Sequence, residues 1–170
     1  SARFKTLGPD RRQGIAQFGV CLAEHAHRLV LIIDDNPIAC AILERMISQL
    51  GLRTEVVMSG SDALKKIELE SPPDYLMFLV DWRMARLDGV ETIRKLKRRY
   101  RSLGRTAPPM ILVTAFSHHE EIDQISSEID GLLAKPVSAR HLYVEMAHCL
   151  GLADDAPHDT ADDRPGHRAA

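Results

Sequence analysis

An alternation constrains this chain more than any other feature. Five short strand-like runs, four of them apolar, are interleaved with stretches whose apolar residues recur at helical spacing. The first run, Leu29-Val30-Leu31-Ile32-Ile33, is apolar throughout, as expected for a strand buried on both faces. Asn36 and Pro37 follow as an N-cap residue and a first-turn proline. The next stretch carries Ile38, Ile42, Met46 and Leu50 at a four-residue period and closes on Gly51. Thr54 to Val57 reads as a second strand. Ser59 caps a helix with Ala63, Leu64 and Ile67 inward, ended by Ser71-Pro72-Pro73. Tyr75 to Val80 is the third strand, again apolar throughout, and Asp88-Gly89 leads into a helix bearing Val90, Ile93 and Leu96. Met110 to Val113 is the fourth strand, followed by a helix with Ile122, Ile125 and Ile129. Gly131 to Ala134 is a short fifth strand. A last helix starts near Ser138, with Leu142, Met146 and Leu150 inward.

Strands alternating with helices predict an α/β fold: a doubly wound, five-stranded parallel sheet covered on both faces. The common strand order for five is the flavodoxin-like 2-1-3-4-5, which opens a ligand crevice at the C-terminal ends of strands one and three. Residues 28–150 form this predicted domain. Residues 1–27 are an N-terminal extension or linker. Ile15, Phe18 and Leu22 lie there at helical spacing, as a linker helix or a homodimer contact would place them. Residues 151–170 are rich in Asp, Ala, Pro and His without an apolar period, and read as a disordered tail. The chain begins with Ser1 rather than Met, as a piece excised from a longer protein would.

Bulk properties exclude several classes. The formal net charge is −2, so no overall positive field points to nucleic acid or an anionic membrane. No apolar run reaches transmembrane length, and the N-terminus lacks the apolar stretch of a signal peptide. Cys21, Cys40 and Cys149 are odd in number and lack metal-ligand spacing, so reduced thiols and a cytoplasmic setting are expected. Arg94, Lys95, Lys97, Arg98, Arg99, Arg101 and Arg105 form a basic cluster, read as a solvated helix end rather than a nucleic-acid site. His25 with His27, and His118 with His119, lack supporting ligands nearby in sequence and are expected to be exposed.

The predicted strand ends carry chemistry. Strand one ends in Asp34-Asp35, strand three in Asp81, strand four in Thr114 and strand five in Lys135. The fold gathers these five side chains at one sheet edge. Three carboxylates there repel one another, and a hard divalent cation such as Mg²⁺, bound through oxygen, neutralises them. Its remaining coordination positions suit phosphate oxygens, as do a lysine and a hydroxyl. Asp81, on the middle strand, is placed as a nucleophile. Singly, each residue has an ordinary explanation, such as helix capping, a turn or a surface lysine. Four strand ends each supplying the required residue type weigh against coincidence.

Over residues 28–150 the chain resembles the receiver domains of two-component response regulators. The matching text is Ile33-Asp34-Asp35-Asn36, Val80-Asp81-Trp82-Arg83-Met84, Leu87-Asp88-Gly89, Val113-Thr114-Ala115 and Ala134-Lys135-Pro136. The resemblance implies Asp81 as phosphoacceptor and Asp35 as direct Mg²⁺ ligand, with Asp34 acting through a water on the ion. It implies the backbone carbonyl of Arg83 as a further ligand, Thr114 and Lys135 on phosphoryl oxygens, and a cis Lys135–Pro136 bond. It also implies self-phosphorylation chemistry rather than turnover, and a histidine kinase or histidine phosphotransfer protein as partner. Asp81-Trp82-Arg83-Met84 and Lys135-Pro136-Val137-Ser138 resemble receivers of hybrid sensor histidine kinases. A stand-alone single-domain regulator is the alternative, since no output domain fits after residue 150. Aspartyl phosphatases usually carry an acid/base carboxylate two residues after the nucleophile; Arg83 stands there instead. Departures from the family are Ala85 and Arg86 in the loop, where proline and a small residue are usual, and Leu132 where Tyr or Phe is common.

Overall fold

The computed structural model describes residues 9–115 and 119–152. Its sheet consists of β1 (Leu29–Ile33), β2 (Arg53–Val57), β3 (Tyr75–Asp81), β4 (Met110–Thr114) and β5 (Gly131–Ala134). All neighbours are parallel, in the order 2-1-3-4-5. β3 and β4 are buried at every residue, the burial that their unbroken apolar character anticipates.

The helices are α1 (Pro9–Cys21), α2 (Pro37–Ser48), α3 (Gly60–Ile67), α4 (Gly89–Ser102), α5 (His119–Ile125) and α6 (Ala139–Cys149), with a short 3₁₀ turn at Ala23–His25. Four of the starts are set by side-chain caps. Asn36 accepts from Ile38 and Ala39, Ser59 from Asp62, Asp88 from Glu91, and Ser138 from His141. One core lies beneath α1, α2 and α6 and includes Val30, Ile32, Leu79 and Val113. The other lies beneath α3, α4 and α5 and includes Leu31, Ile33, Phe78, Val80 and Leu112.

Two sequence patterns read differently in three dimensions. The four-residue period of α2 does not mark its inward face: Ile38 is 73% and Ile42 49% exposed, while Cys40, Leu43 and Ile47 are buried. A step of four residues overshoots one helical turn by about 40°, so three steps carry the stripe about 120° around the axis. The inward face instead alternates steps of three and four, from Cys40 to Leu43 to Ile47 to Leu50. In the N-terminal extension, α1 packs onto the domain itself. Phe18 and Leu22 are fully buried, and the Phe18 ring lies 6.2 Å from that of Tyr143 on α6. The side chain of Ile15, His118 and residues 153–170 lie outside the described residues. His25 and His27 sit 3.6 and 3.8 Å from Glu24 and Asp74; His25 is half-buried.

Candidate functional site

The register of the sheet builds the site. Ile33 pairs with Val80, so Asp34, one residue further, stands level with Asp81 at the end of β3. Asp81 pairs with Val113 and Thr114 with Ala134, so Lys135 follows directly beyond β5. The Lys135 amide donates to the Thr114 carbonyl at 2.7 Å, and the Trp82 amide to the Val113 carbonyl at 2.9 Å. The Lys135–Pro136 bond is cis.

These contacts bring Asp34, Asp35, Asp81, Thr114 and Lys135 to one edge. Ligand atoms of the three carboxylates lie within 4.8 Å of one another. Asp34, Asp81 and Thr114 are buried, whereas Asp35 is exposed. Lys135 Nζ lies 2.7 Å from Asp81 Oδ1 and 3.7 Å from Asp34 Oδ2. The second distance is an ion pair beyond hydrogen-bond reach. Asp34 Oδ1 accepts from the Asn36 amide at 2.9 Å, and Asp35 Oδ2 from the Ala85 amide at 3.2 Å.

The electrostatics follow from that packing. Burial pushes the Asp81 carboxyl up, and the neighbouring Asp34 and Asp35 charges add to it. The Lys135 ammonium opposes both, yet the net shift is upward. Burial alone draws the Lys135 ammonium down, but its contacts with Asp81 and Asp34 outweigh this and raise it. One lysine thus faces three carboxylates. Asp34 Oδ2 is buried without a hydrogen-bond partner. A buried carboxylate oxygen left in this way, beside two further carboxylates, fits a hard divalent cation bound through oxygen.

Several contributors were not legible as site residues. Gly89 begins α4 and permits the loop to fold back on the end of β3. Its amide donates to the Trp82 carbonyl at 2.8 Å, and a Cβ on it would fall 2.3 Å from the Asp81 carbonyl oxygen. In sequence, Asp88-Gly89 marked the lead into a helix and part of the family resemblance, with no role at the site attached to it. The Arg83 guanidinium lies 5.7 Å from the centroid of the Trp82 ring and 3.9 Å from Glu121 on α5, tying the β3–α4 loop to that helix. Nothing in the sequence pairs residues 83 and 121. Arg86 adopts φ +70°, a left-handed backbone conformation that glycine adopts without steric cost. Leu132 is half-buried against the core under α3, α4 and α5.

The response regulator receiver domain family matches residues 30–147. Among curated relatives, hybrid signal transduction histidine kinase L of Dictyostelium discoideum is 31% identical over 64% of this chain and 6% of its own length. Response regulator MprA of Mycolicibacterium vanbaalenii is 30% identical over 83% of this chain and 55% of its own. The chain therefore spans a small part of the first and about half of the second. The receiver domain of a sensor histidine kinase from Pseudomonas aeruginosa PAO1, solved with magnesium coordinated in its active-site cleft, superposes with a TM-score of 0.62. It is 25% identical, over 74% of this chain and 99% of that one. Vibrio cholerae chemotaxis protein CheY4, 19% identical, shares the fold with a TM-score of 0.58, over 69% of this chain and 93% of its own.

Proposed function

The chain belongs to the response regulator receiver domain family of two-component signalling, and on that premise we propose that it takes a phosphoryl group from a phosphohistidine onto Asp81, with Mg²⁺ held at the site. The observation that carries this reading is the cluster of acidic side chains around Asp81. Three carboxylates share 4.8 Å with a single lysine 2.7 Å from Asp81.

In this reading Asp34, Asp35, Asp81 and the Arg83 carbonyl hold the ion, which supplies charge neutralisation to the phosphoryl oxygens. An Asp81 carboxylate oxygen attacks phosphorus in line. The bond from phosphorus to the donor's imidazole nitrogen breaks, and that nitrogen keeps the electron pair and is reprotonated by solvent. Lys135 and Thr114 take the equatorial oxygens, so catalysis is positioning and electrostatics. The product is an acyl phosphate on the chain itself, a stoichiometric event rather than turnover. Arg83, where an acid/base carboxylate would be needed, supports that distinction.

The donor is a histidine kinase or histidine phosphotransfer protein. A groove beside Asp34 and Lys135 is lined by Ile38, Ala39, Ile42, Pro136 and Val137, which suits a protein donor with an apolar surface around its histidine. The match to hybrid histidine kinase L favours a receiver belonging to a hybrid sensor kinase; the alternative is a stand-alone single-domain response regulator. The setting is cytoplasmic, and among the described residues no helix is long and apolar enough to cross a membrane. The test is transfer of label from a set of phosphohistidine-bearing donors in Mg²⁺. The label is expected to move to the wild-type chain as a hydroxylamine-labile adduct and to be absent from Asp81→Asn. Label remaining on every donor, or repeated turnover of a phosphatase substrate, would overturn the reading.

A further inference from the structure

The opposite end of the sheet carries a second constellation, which the chemistry of Asp81 does not use. Pro72-Pro73 lead into β3 and Pro108-Pro109 into β4, at the strand ends remote from Asp81 and Thr114. Beside them, at the end of α4, lies a cavity of about 480 Å³, whose apolar walls are those four prolines and Tyr75. A second cavity of about 350 Å³ adjoins it, lined by Lys97, Arg101 and Asp130. The two share Tyr100, Arg105, Ala107 and Pro108. The first volume falls within the range of small-molecule sites, roughly 300–1,000 Å³.

The walls are held by contacts of their own. Tyr75 and Tyr100 pack on Phe78, with ring centroids 5.2 and 6.1 Å away, and the Tyr75 hydroxyl donates to Glu55 at 3.0 Å. The prolines stiffen the backbone on either side. After α4, Gly104 (φ +66°) turns the chain, and the Arg105 amide donates to the Tyr100 carbonyl at 3.0 Å. That turn sets Arg105 where the cavities meet.

Charge is uneven across the pair. In the apolar cavity Arg28 pairs with Asp74 at 3.1 Å and donates to the Tyr75 carbonyl at 3.0 Å. In the polar cavity Lys97 pairs with Asp130 at 3.2 Å. Arg101 and Arg105 are exposed, and among the described residues no carboxylate lies within ion-pair distance of either. The α4 dipole favours cations in its last turn and so accounts for Arg101, but Arg105 lies beyond the helix. Tyr100 is only 8% exposed, yet among the described residues its hydroxyl makes no hydrogen bond. Burial pushes that phenol up to about 12, the Arg105 charge opposing in part, so it stays protonated and able to donate.

We propose that the two cavities together form a nucleotide site. The phosphates of a nucleoside di- or triphosphate take Arg101, Arg105 and the Tyr100 hydroxyl, with Lys97 at the edge. The base enters the cavity lined by proline and tyrosine. Asp74 accepts from the N–H groups of the base, and its charge keeps phosphate out of that end. The site therefore fixes the direction of its ligand. Binding makes and breaks no covalent bond and involves neither Asp81 nor its metal.

The test titrates the full chain with ATP in EDTA, which keeps Mg²⁺ from joining the nucleotide to the acidic cluster, and follows backbone amide resonances. Saturable shifts are expected at Asp74, Tyr100, Arg105 and Ala107, and none at Asp34 or Asp81. Arg101→Gln with Arg105→Gln, at two exposed positions, is expected to weaken binding about tenfold. Tyr100→Phe is expected to weaken it about threefold, and Asp81→Asn to leave it unchanged. Adenosine and inorganic triphosphate, each filling one cavity, are expected to bind at least about tenfold more weakly than ATP. Four results would each overturn the inference: no saturable shift with ATP, shifts centred on Asp34 and Asp81, wild-type affinity in the double arginine variant, or triphosphate or a short DNA strand binding as tightly as ATP. The last is the mark of an open polyanion surface.

Discussion

Asp81 is held in a position that opposes its own ionisation. Burial raises its carboxyl despite the Lys135 contact. A carboxyl raised on folding binds its proton more tightly in the native state. Its stabilising share is complete below the unfolded value of about 3.9 and is lost as pH climbs through the native one. At neutral pH the ionised form therefore works against the fold. Asp81→Asn is predicted to raise unfolding free energy at pH 7 by about 1 kcal/mol in denaturant titrations. That gap should shrink as the pH falls through the native value towards about 4, and change no further below it. A variant less stable than wild type at pH 7 would mean that the Lys135 pair outweighs burial. Gly89 is the second critical residue. A methyl group there meets backbone on both sides, the Asp81 carbonyl at 2.3 Å and Trp82 Cα at 2.8 Å. Gly89→Ala is predicted to cost about 2–3 kcal/mol; a change within about 0.5 kcal/mol would show that the loop yields freely.

The helices show where reading a sequence succeeds and where it stops. β1, β3 and β4 were legible because burial on both faces demands unbroken apolar runs. The strand ends were legible because Asp34, Asp81, Thr114 and Lys135 each follow a short apolar run. The inward face of α2 was not, since Ile38 and Ile42 look like core residues until helical drift is counted. Ile47→Ala is accordingly predicted to cost about 2–5 kcal/mol, and Ile38→Ser no more than about 0.5 kcal/mol, by equilibrium unfolding. Equal costs would restore the four-residue stripe. α1 was legible as an amphipathic stretch but not as part of this core, because a linker helix and a docked helix share one pattern. With Phe18 fully buried against Tyr143, Phe18→Ala is predicted to cost about 3–5 kcal/mol. The Arg83–Glu121 pair and the return of Gly89 onto Asp81 had no local signal, since each depends on how a loop closes over the sheet edge.

Across the whole molecule, the sheet order places acidic residues from two adjacent strands beside a lysine that follows a third, and the rest of the fold holds them there. Trp82, the single tryptophan, is 7% exposed and adjoins Asp81, so it reports on the site directly. Millimolar Mg²⁺ is predicted to change its fluorescence saturably, EDTA to reverse the change, and Asp34→Asn with Asp35→Asn to abolish it. Absence of a saturable response in wild type would contradict the ion-binding account. Phosphorylation of Asp81 forms a covalent bond, and intact mass reads that bond. Incubated with acetyl phosphate and Mg²⁺, the wild-type chain is predicted to gain one phosphoryl group, about 80 Da, and Asp81→Asn to gain none. An unchanged wild-type mass, or the same gain in Asp81→Asn, would contradict phosphorylation at Asp81.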